Sequence, residues 1–174
     1  MDQEFLNNIQ NFIANNFSIS TIRKMAGAGA LKRIQRFMKE DIDLGDLSKS
    51  NPSQYGNTLN VLTTKLLIAL PEPDRAKWGL ARKCLNLFFR DALYNFYLRE
   101  AYDLGKFEAE LEIPLDSHVG KELRQRDRAL PGWKSVIGLT PDQSAKFQES
   151  ALRIARREST HRVHLDVVYW RGSR

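Results

Sequence analysis

Apolar side chains recur every three or four residues along most of this chain, the spacing that is typical of helices with one buried face. Before residue 70 the pattern predicts three helices, and turn-forming residues predict a loop over residues 41–56 between the second and the third. The helices are predicted at residues 2–16, from Ser18 or Ser20 to Glu40, and at residues 57–69.

The helical pattern continues in the second half of the chain. Residues 79–102 are predicted as one helix, on which Lys83 projects roughly opposite the main apolar stripe. That placement suits a residue that lines a cleft and equally one that points into water. Further helices are predicted from Asp116 to about Arg128 and from Thr140 onward.

Residues 162–170 depart from this pattern, because they are rich in β-branched and aromatic side chains. They predict either a strand or an extended segment packed on the helices, although the sequence offers no obvious second strand as a partner. We therefore predict a single all-α domain over residues 1–174, with this C-terminal segment as its one extended part.

The composition is that of an ordinary globular domain, with 174 residues of which 42% are hydrophobic and 28% charged. Cys84 is the only cysteine, which excludes an internal disulfide and any four-cysteine zinc or iron–sulfur site within the chain. No run reaches the roughly 18–20 apolar residues of a membrane span, and the first residues lack the basic segment of a signal peptide. We expect a cytoplasmic protein without a metal or cofactor.

The formal net charge of +6 and the pI near 9.5 favour a polyanionic partner. Two clusters of positive charge flank the segment beginning at Ile113. Solvated helix faces explain either cluster alone, but they explain less well why both flank the same segment. The first basic cluster is Arg75, Lys77, Arg82, Lys83 and Arg90, and the second is Lys121, Arg124, Arg126, Arg128 and Lys134.

The segment Ile113-Pro114-Leu115-Asp116-Ser117-His118-Val119 places an aspartate at the start of a predicted helix. Pro114 fixes its own φ and disfavours helix at Ile113, so the chain is expected to be extended up to Asp116. An aspartate in this position usually caps the helix by accepting hydrogen bonds from backbone N–H groups. Capping alone is therefore the ordinary interpretation of Asp116.

Two stretches resemble parts of the helix-hairpin-helix DNA glycosylase superfamily. Residues 113–124 resemble the segment that carries its catalytic aspartate, and residues 78–88 resemble the hairpin that leads into its lysine helix. The spacing from Lys83 to Asp116 is longer than in endonuclease-III-like members and close to that of the archaeal 8-oxoguanine glycosylase branch. The resemblance covers about residues 74–128, under a third of the chain, and the cysteines of the cluster-containing members are absent from the sequence.

The resemblance implies a DNA N-glycosylase with AP lyase activity, which removes a damaged or modified base such as 8-oxoguanine from duplex DNA. Asp116 would stabilise the positive charge that develops on the sugar, while the Lys83 amine would attack C1′, form a Schiff base and lead to β-elimination. Because only the neutral amine attacks, Lys83 needs partial desolvation or a cationic neighbour such as Arg82. The residues expected to contact DNA are Arg75, Lys77, Gly79, Arg82, His118, Lys121 and Arg124.

Other side chains are weaker candidates. His161, His164 and Asp166 have the residue types of metal ligands but not a recognised spacing. Several aromatic residues are candidates for stacking on a flipped base or for filling the gap that it leaves, with core packing as the ordinary alternative. They are Trp78, Trp133, Tyr94, Tyr97 and Trp170.

Two other functions stay open on the same scaffold. A non-catalytic helical domain that binds DNA or protein would keep the basic surface but would have no need of Lys83 and Asp116 together. A glycosylase without lyase activity would use Asp116 to activate water and leave Lys83 structural. The expected partner is double-stranded DNA with a modified base or an abasic site, bound by a nucleoid-associated monomer, in repair or in defence against foreign modified DNA.

Overall fold

A computed structural model describes residues 2–22 and 24–171, and every regular element within these ranges is a helix. The all-α prediction is therefore confirmed. The α-helices are α1 (Gln3–Asn16), α2 (Ile19–Ile22), α3 (Ala30–Glu40), α4 (Leu44–Lys49), α5 (Tyr55–Ala69), α6 (Trp78–Tyr94), α7 (Phe96–Ala101), α8 (Ser117–Arg126), α9 (Pro141–Arg157) and α10 (Arg162–Arg171). Short 3-10 helices lie at Pro52–Gln54, Glu72–Asp74 and Leu104–Phe107.

Several helix starts follow directly from local sequence. Asp2 caps α1 by accepting a hydrogen bond from the Glu4 N–H. Thr140 and Gln143 form a reciprocal capping box at the start of α9, where Pro141 occupies the first turn. These caps satisfy backbone N–H groups that have no partner inside the helix, so they determine where each helix begins.

Three predicted boundaries differ from the structure. The second predicted helix is divided into α2 and α3, because the chain turns between them through left-handed backbone at Lys24 and Gly29; Arg23 lies outside the described residues. The predicted loop over 41–56 contains α4. The predicted helix over 79–102 breaks at Asn95, whose extended backbone ends α6 and whose side chain caps α7.

The prediction of a strand or extended segment over residues 162–170 is wrong, because this stretch is helix α10. Val163, Leu165 and Tyr169 are buried against the rest of the protein, and Arg162 donates to the carbonyls of Glu110 and Leu111. A helix satisfies its backbone hydrogen bonds internally, whereas a strand would need a neighbouring strand. The described chain supplies none, so burial in a helical environment overrides the β propensity.

Helix α6 lies between two groups of buried apolar residues. The larger group joins α1 and α3 to α7, and the smaller one joins the segment from Ile113 through α8, α9 and α10. Leu85 and Phe88 on α6 belong to the first group, while Trp78 at its start packs against the second. Lys83 therefore lies on the helix that connects the two halves of the core. No helix in the described ranges combines the length and the apolar composition needed to cross a membrane.

Candidate active site

Lys83 and Asp116 line the same surface cleft, although 33 residues separate them in sequence. The cleft has a volume of about 430 Å³. Its walls come from the end of α2 and the following turn, from the starts of α6 and α8, from the loop before α9 and from α10. The lining residues are Ser20, Thr21, Lys24, Met25, Lys83, Asp116, Ser117, His118, Ser135, Val136, Ile137 and Trp170.

Lys83 is half-buried in the second turn of α6. Its Nζ donates a hydrogen bond to the carbonyl oxygen of Thr21 at 3.3 Å, and it forms no ion pair with a described carboxylate. The neighbouring Cys84 side chain is fully buried, and burial raises its pKa to about 12. The lysine amine is thus partly removed from water and faces the cleft without an ion pair to any described carboxylate, while the adjacent thiol stays protonated.

Asp116 caps α8, as its position in the sequence predicted. Its Oδ1 accepts hydrogen bonds from the N–H groups of His118 and Val119, both at 2.9 Å. Its other carboxylate oxygen, Oδ2, has no hydrogen bond with the described residues. One oxygen thus fixes the orientation of the carboxylate, and the second is available to a ligand in the cleft.

A largely buried ion pair joins Arg90 on α6 to Asp166 on α10. Arg90 follows Lys83 by seven residues, two helical turns, and so projects from the same side of α6. Asp166 on α10 is 3% exposed, and Arg90 also donates to Asp91. Burial raises the pKa of Asp166, and the charge of Asp116 adds to this, whereas Arg90 and Lys83 oppose it. Asp166 is therefore close enough to influence both cleft residues electrostatically.

Helix α10 contributes an aromatic wall. The rings of His118 and Trp170 lie 4.9 Å apart, and His118 Nε2 lies 3.0 Å from the carbonyl oxygen of Tyr169. Trp170 is half-exposed and is the one predicted stacking residue that lines the cleft. Because residues 162–170 predict a strand or an extended segment, neither this wall nor the pairing of Asp166 with Arg90 could be expected from the sequence.

The other predicted stacking residues lie elsewhere. Trp78 contacts the Arg82 guanidinium, and Trp133 packs over Gly120 and against Phe147. Tyr94 stacks on His164, and Tyr97 packs edge-on against Phe5. These four contacts are structural, so Trp170 is left as the aromatic candidate for the cleft.

Two of the weak metal-ligand candidates, His164 and Asp166, have other partners. His164 Nε2 lies 2.6 Å from Glu108 Oε1, and its Nδ1 lies 2.8 Å from the Tyr94 hydroxyl. Asp166 is paired with Arg90. Within the part of the chain that the structure describes, no three histidine, cysteine or acidic side chains are grouped as metal ligands.

The first basic cluster is mostly occupied by internal ion pairs. The Arg82 side chain is 7% exposed and binds Glu112 through two hydrogen bonds, at 2.8 and 2.7 Å, with further bonds to Asn60 and Thr63. Lys77 is paired with buried Asp74 at 2.6 Å. The prediction that Arg82 contacts DNA is therefore wrong, because its guanidinium is buried and its hydrogen-bonding capacity is used within the protein.

Two other residues predicted to contact DNA, Gly79 and Arg75, differ in their exposure to solvent. A Cβ at Gly79 would lie 2.1 Å from the carbonyl oxygen of Val136 and 2.8 Å from Leu139 Cβ. The missing side chain at Gly79 thus lets α6 pack closely against the loop before α9. Because Gly79 is buried there, it does not lie at the surface, where a phosphate was predicted to bind. Arg75 is exposed, with its Nε donating to the Leu70 carbonyl.

The second basic cluster, in contrast, is exposed along α8 and in the loop that follows it. A surface groove of about 680 Å³ runs beside this helix, and an adjoining depression lies where α8 and α9 end. The groove is lined by Lys121, Arg124, Gln125, Arg128 and Trp133, and the depression by Arg126, Asp127, Arg153, Arg156 and Arg157. Within the described residues, Lys121, Arg124 and Arg128 form no ion pairs, so their charge is available to a partner.

Comparisons of the chain with protein-family models, with curated proteins and with solved structures found no match in any of the three. Any functional assignment therefore depends on the residues and on the geometry of this cleft.

Proposed function

We propose that the chain is a DNA glycosylase with AP lyase activity, which excises a damaged or modified base from duplex DNA. The observation that carries the proposal is the meeting of Lys83 and Asp116 in one cleft beside the exposed ring of Trp170. The cleft volume of about 430 Å³ lies within the range of roughly 300–1,000 Å³ that accommodates small ligands. A flipped nucleoside is a ligand of that class.

In this mechanism the glycosidic bond breaks as its electron pair leaves with the base, which takes up a proton. The negative Oδ2 of Asp116 stabilises the positive charge on the sugar. The neutral Lys83 amine then attacks C1′. One of its two protons moves to O4′ as the C1′–O4′ bond breaks, and the sugar ring opens to a protonated Schiff base. Loss of a C2′ proton and cleavage of the C3′–O bond break the strand, and water releases the lysine.

The surroundings of the two residues support these roles. Partial burial and the hydrogen bond to the Thr21 carbonyl oxygen hold the Lys83 amine at the cleft. The hydrogen bonds to Asp116 Oδ1 hold the carboxylate in place before substrate binds, so little reorganisation is needed during the reaction.

The basic face of α8 supports binding to nucleic acid. Asp116 and the cleft lie at the start of this helix, and the groove lined by Lys121, Arg124 and Arg128 begins one turn later. Such charges contact backbone phosphates without reading sequence, so they would hold the duplex while a base leaves the stack. The same surface also favours the second candidate, a DNA-binding domain without catalytic activity.

Borohydride trapping on duplex DNA with an abasic site tests the lyase. Wild type should form a covalent complex, and Lys83→Gln should form none while still binding DNA, because glutamine keeps helix propensity but lacks an amine. The matched control is Lys24→Gln, since Lys24 is the other lysine that lines the cleft. Trapping abolished in Lys24→Gln and kept in Lys83→Gln would reassign the nucleophile; no trapping by wild type would refute the lyase.

A panel of duplexes with different modified bases tests excision itself. Asp116→Asn should retain the fold, with a loss of about 1 kcal/mol or less because asparagine also caps helices, while excision falls by orders of magnitude. Excision without trapping would indicate a glycosylase that uses water. Binding to DNA with no excision on any duplex would favour the non-catalytic domain.

A further inference from the structure

An exposed isoleucine stands at the rim of the cleft, on a turn that is fixed at both ends. Val136 and Leu139 are buried, while Ile137 between them is 39% exposed and lines the cleft. The Leu139 N–H donates to the Val136 carbonyl at 3.2 Å, and the Gly138 N–H donates to Ser135 Oγ at 3.1 Å. The backbone thus presents the Ile137 side chain outward from a tight, hydrogen-bonded turn.

The turn is also clamped to the helix that carries Lys83. The Val136 carbonyl oxygen approaches Gly79 so closely that a Cβ there would lie 2.1 Å from it. Gly79 lies at the start of α6, one turn before Lys83, so the position of Ile137 is tied to that of the amine. A single exposed apolar residue is common on protein surfaces. Ile137 differs from a mobile surface side chain, because its turn holds it in a fixed position at a cleft that also contains a lysine and an aspartate.

We propose that Ile137 is the residue that enters the base stack and fills the gap left by the flipped nucleotide; this inference depends on the proposed function. Apolar side chains that bind DNA insert between bases because they take the place of a stacked neighbour without needing hydrogen bonds. Unstacking a base costs a few kcal/mol, so a wedge lowers the cost of reaching the cleft. Ile137 is a positioning residue: it acts on the DNA stack and leaves the chemistry to Lys83 and Asp116.

The test compares excision of one modified base from duplex DNA and from the same strand alone. Ile137→Ala should lower excision from the duplex by about tenfold or more, because alanine is too short to fill the gap in the stack. It should change excision from the single strand by less than about twofold, since no stack has to be opened there. Ile137→Met keeps an apolar side chain with similar reach and should retain most duplex activity.

Ile68→Ala is the matched control, because Ile68 is 67% exposed on α5 and does not line the cleft. It should leave both substrates unaffected. An equal loss on both substrates in Ile137→Ala, or no loss on either, would overturn the wedge while leaving the enzyme assignment intact. Absence of excision by wild type from both substrates would instead refute the proposed function itself.

Discussion

Replacing Arg82 with methionine should destabilise the fold, because its guanidinium holds a buried carboxylate. Arg82 donates two hydrogen bonds to Glu112 and one each to Asn60 and Thr63. Methionine retains the apolar length of the side chain but removes the charge and all of these donors. Among the described residues, Glu112 would then keep only the hydrogen bond from Asn86 Nδ2 at 3.0 Å.

The expected cost is about 3–5 kcal/mol of unfolding free energy, since removing one partner of a buried ion pair leaves the other charge uncompensated. For a chain of this length that corresponds to a fall in Tm of about 6–20 °C. This loss is a large fraction of the total unfolding free energy, which is typically only about 5–15 kcal/mol for a domain.

The effect should depend on pH. Burial would raise the pKa of Glu112, but the hydrogen bonds and charge of Arg82 outweigh it, so the pKa is lowered. The stability from this carboxylate is therefore present above its unfolded-state pKa and lost as pH falls through the folded-state pKa. Without Arg82, burial raises the pKa instead. The difference between Arg82→Met and wild type should thus be smaller near pH 4 than at pH 7.

Urea unfolding followed by circular dichroism measures these differences. Arg75→Met is the matched control, since Arg75 is exposed, and it should change stability by about 0.5 kcal/mol or less. Combining Arg82→Met with Glu112→Leu should recover much of the stability, because no buried charge is then unpaired. A stabilising role for the Arg82–Glu112 pair is excluded if Arg82→Met lies within about 1 kcal/mol of wild type. It is also excluded if the double variant is no more stable than the single one.

Three further results are expected. Gly79→Ala should lower the unfolding free energy by about 1–3 kcal/mol or more, because the added methyl group displaces the loop before α9. Gly56→Ala has open space around its Cα in α5, so in the same urea titration it should raise the unfolding free energy by about 0.5–1 kcal/mol. Cys84 should resist iodoacetamide at pH 8 until the protein unfolds, because burial raises its pKa to about 12; rapid labelling of the native protein would contradict this. The double variant Arg124→Gln/Arg128→Gln should reduce the salt dependence of DNA binding. The slope of log K against log salt should fall by about one for each phosphate that is no longer neutralised. An unchanged slope would exclude a phosphate-binding role for these arginines.

Much of the helical framework is readable from the sequence because the signals are local. Helical spacing of apolar residues identified α1, α5 and α9, and the capping positions of Asp116 and Thr140 located two helix starts. A cap depends on side chains within three residues of the backbone groups that it satisfies. Such a signal is contained in a short window of sequence.

Only the tertiary structure decided which charged residues face solvent and which are neutralised inside. Arg82 meets Glu112 across 30 residues, and Arg90 meets Asp166 across 76. Helix α10 likewise contradicts the β propensity of its own sequence because it is buried among helices with no strand beside it in the described chain. The cleft that joins Lys83, Asp116 and Ile137 arises from the same long-range packing. A short stretch of sequence records its own backbone preferences, but pairing and burial are properties of distant segments that meet only in the folded chain.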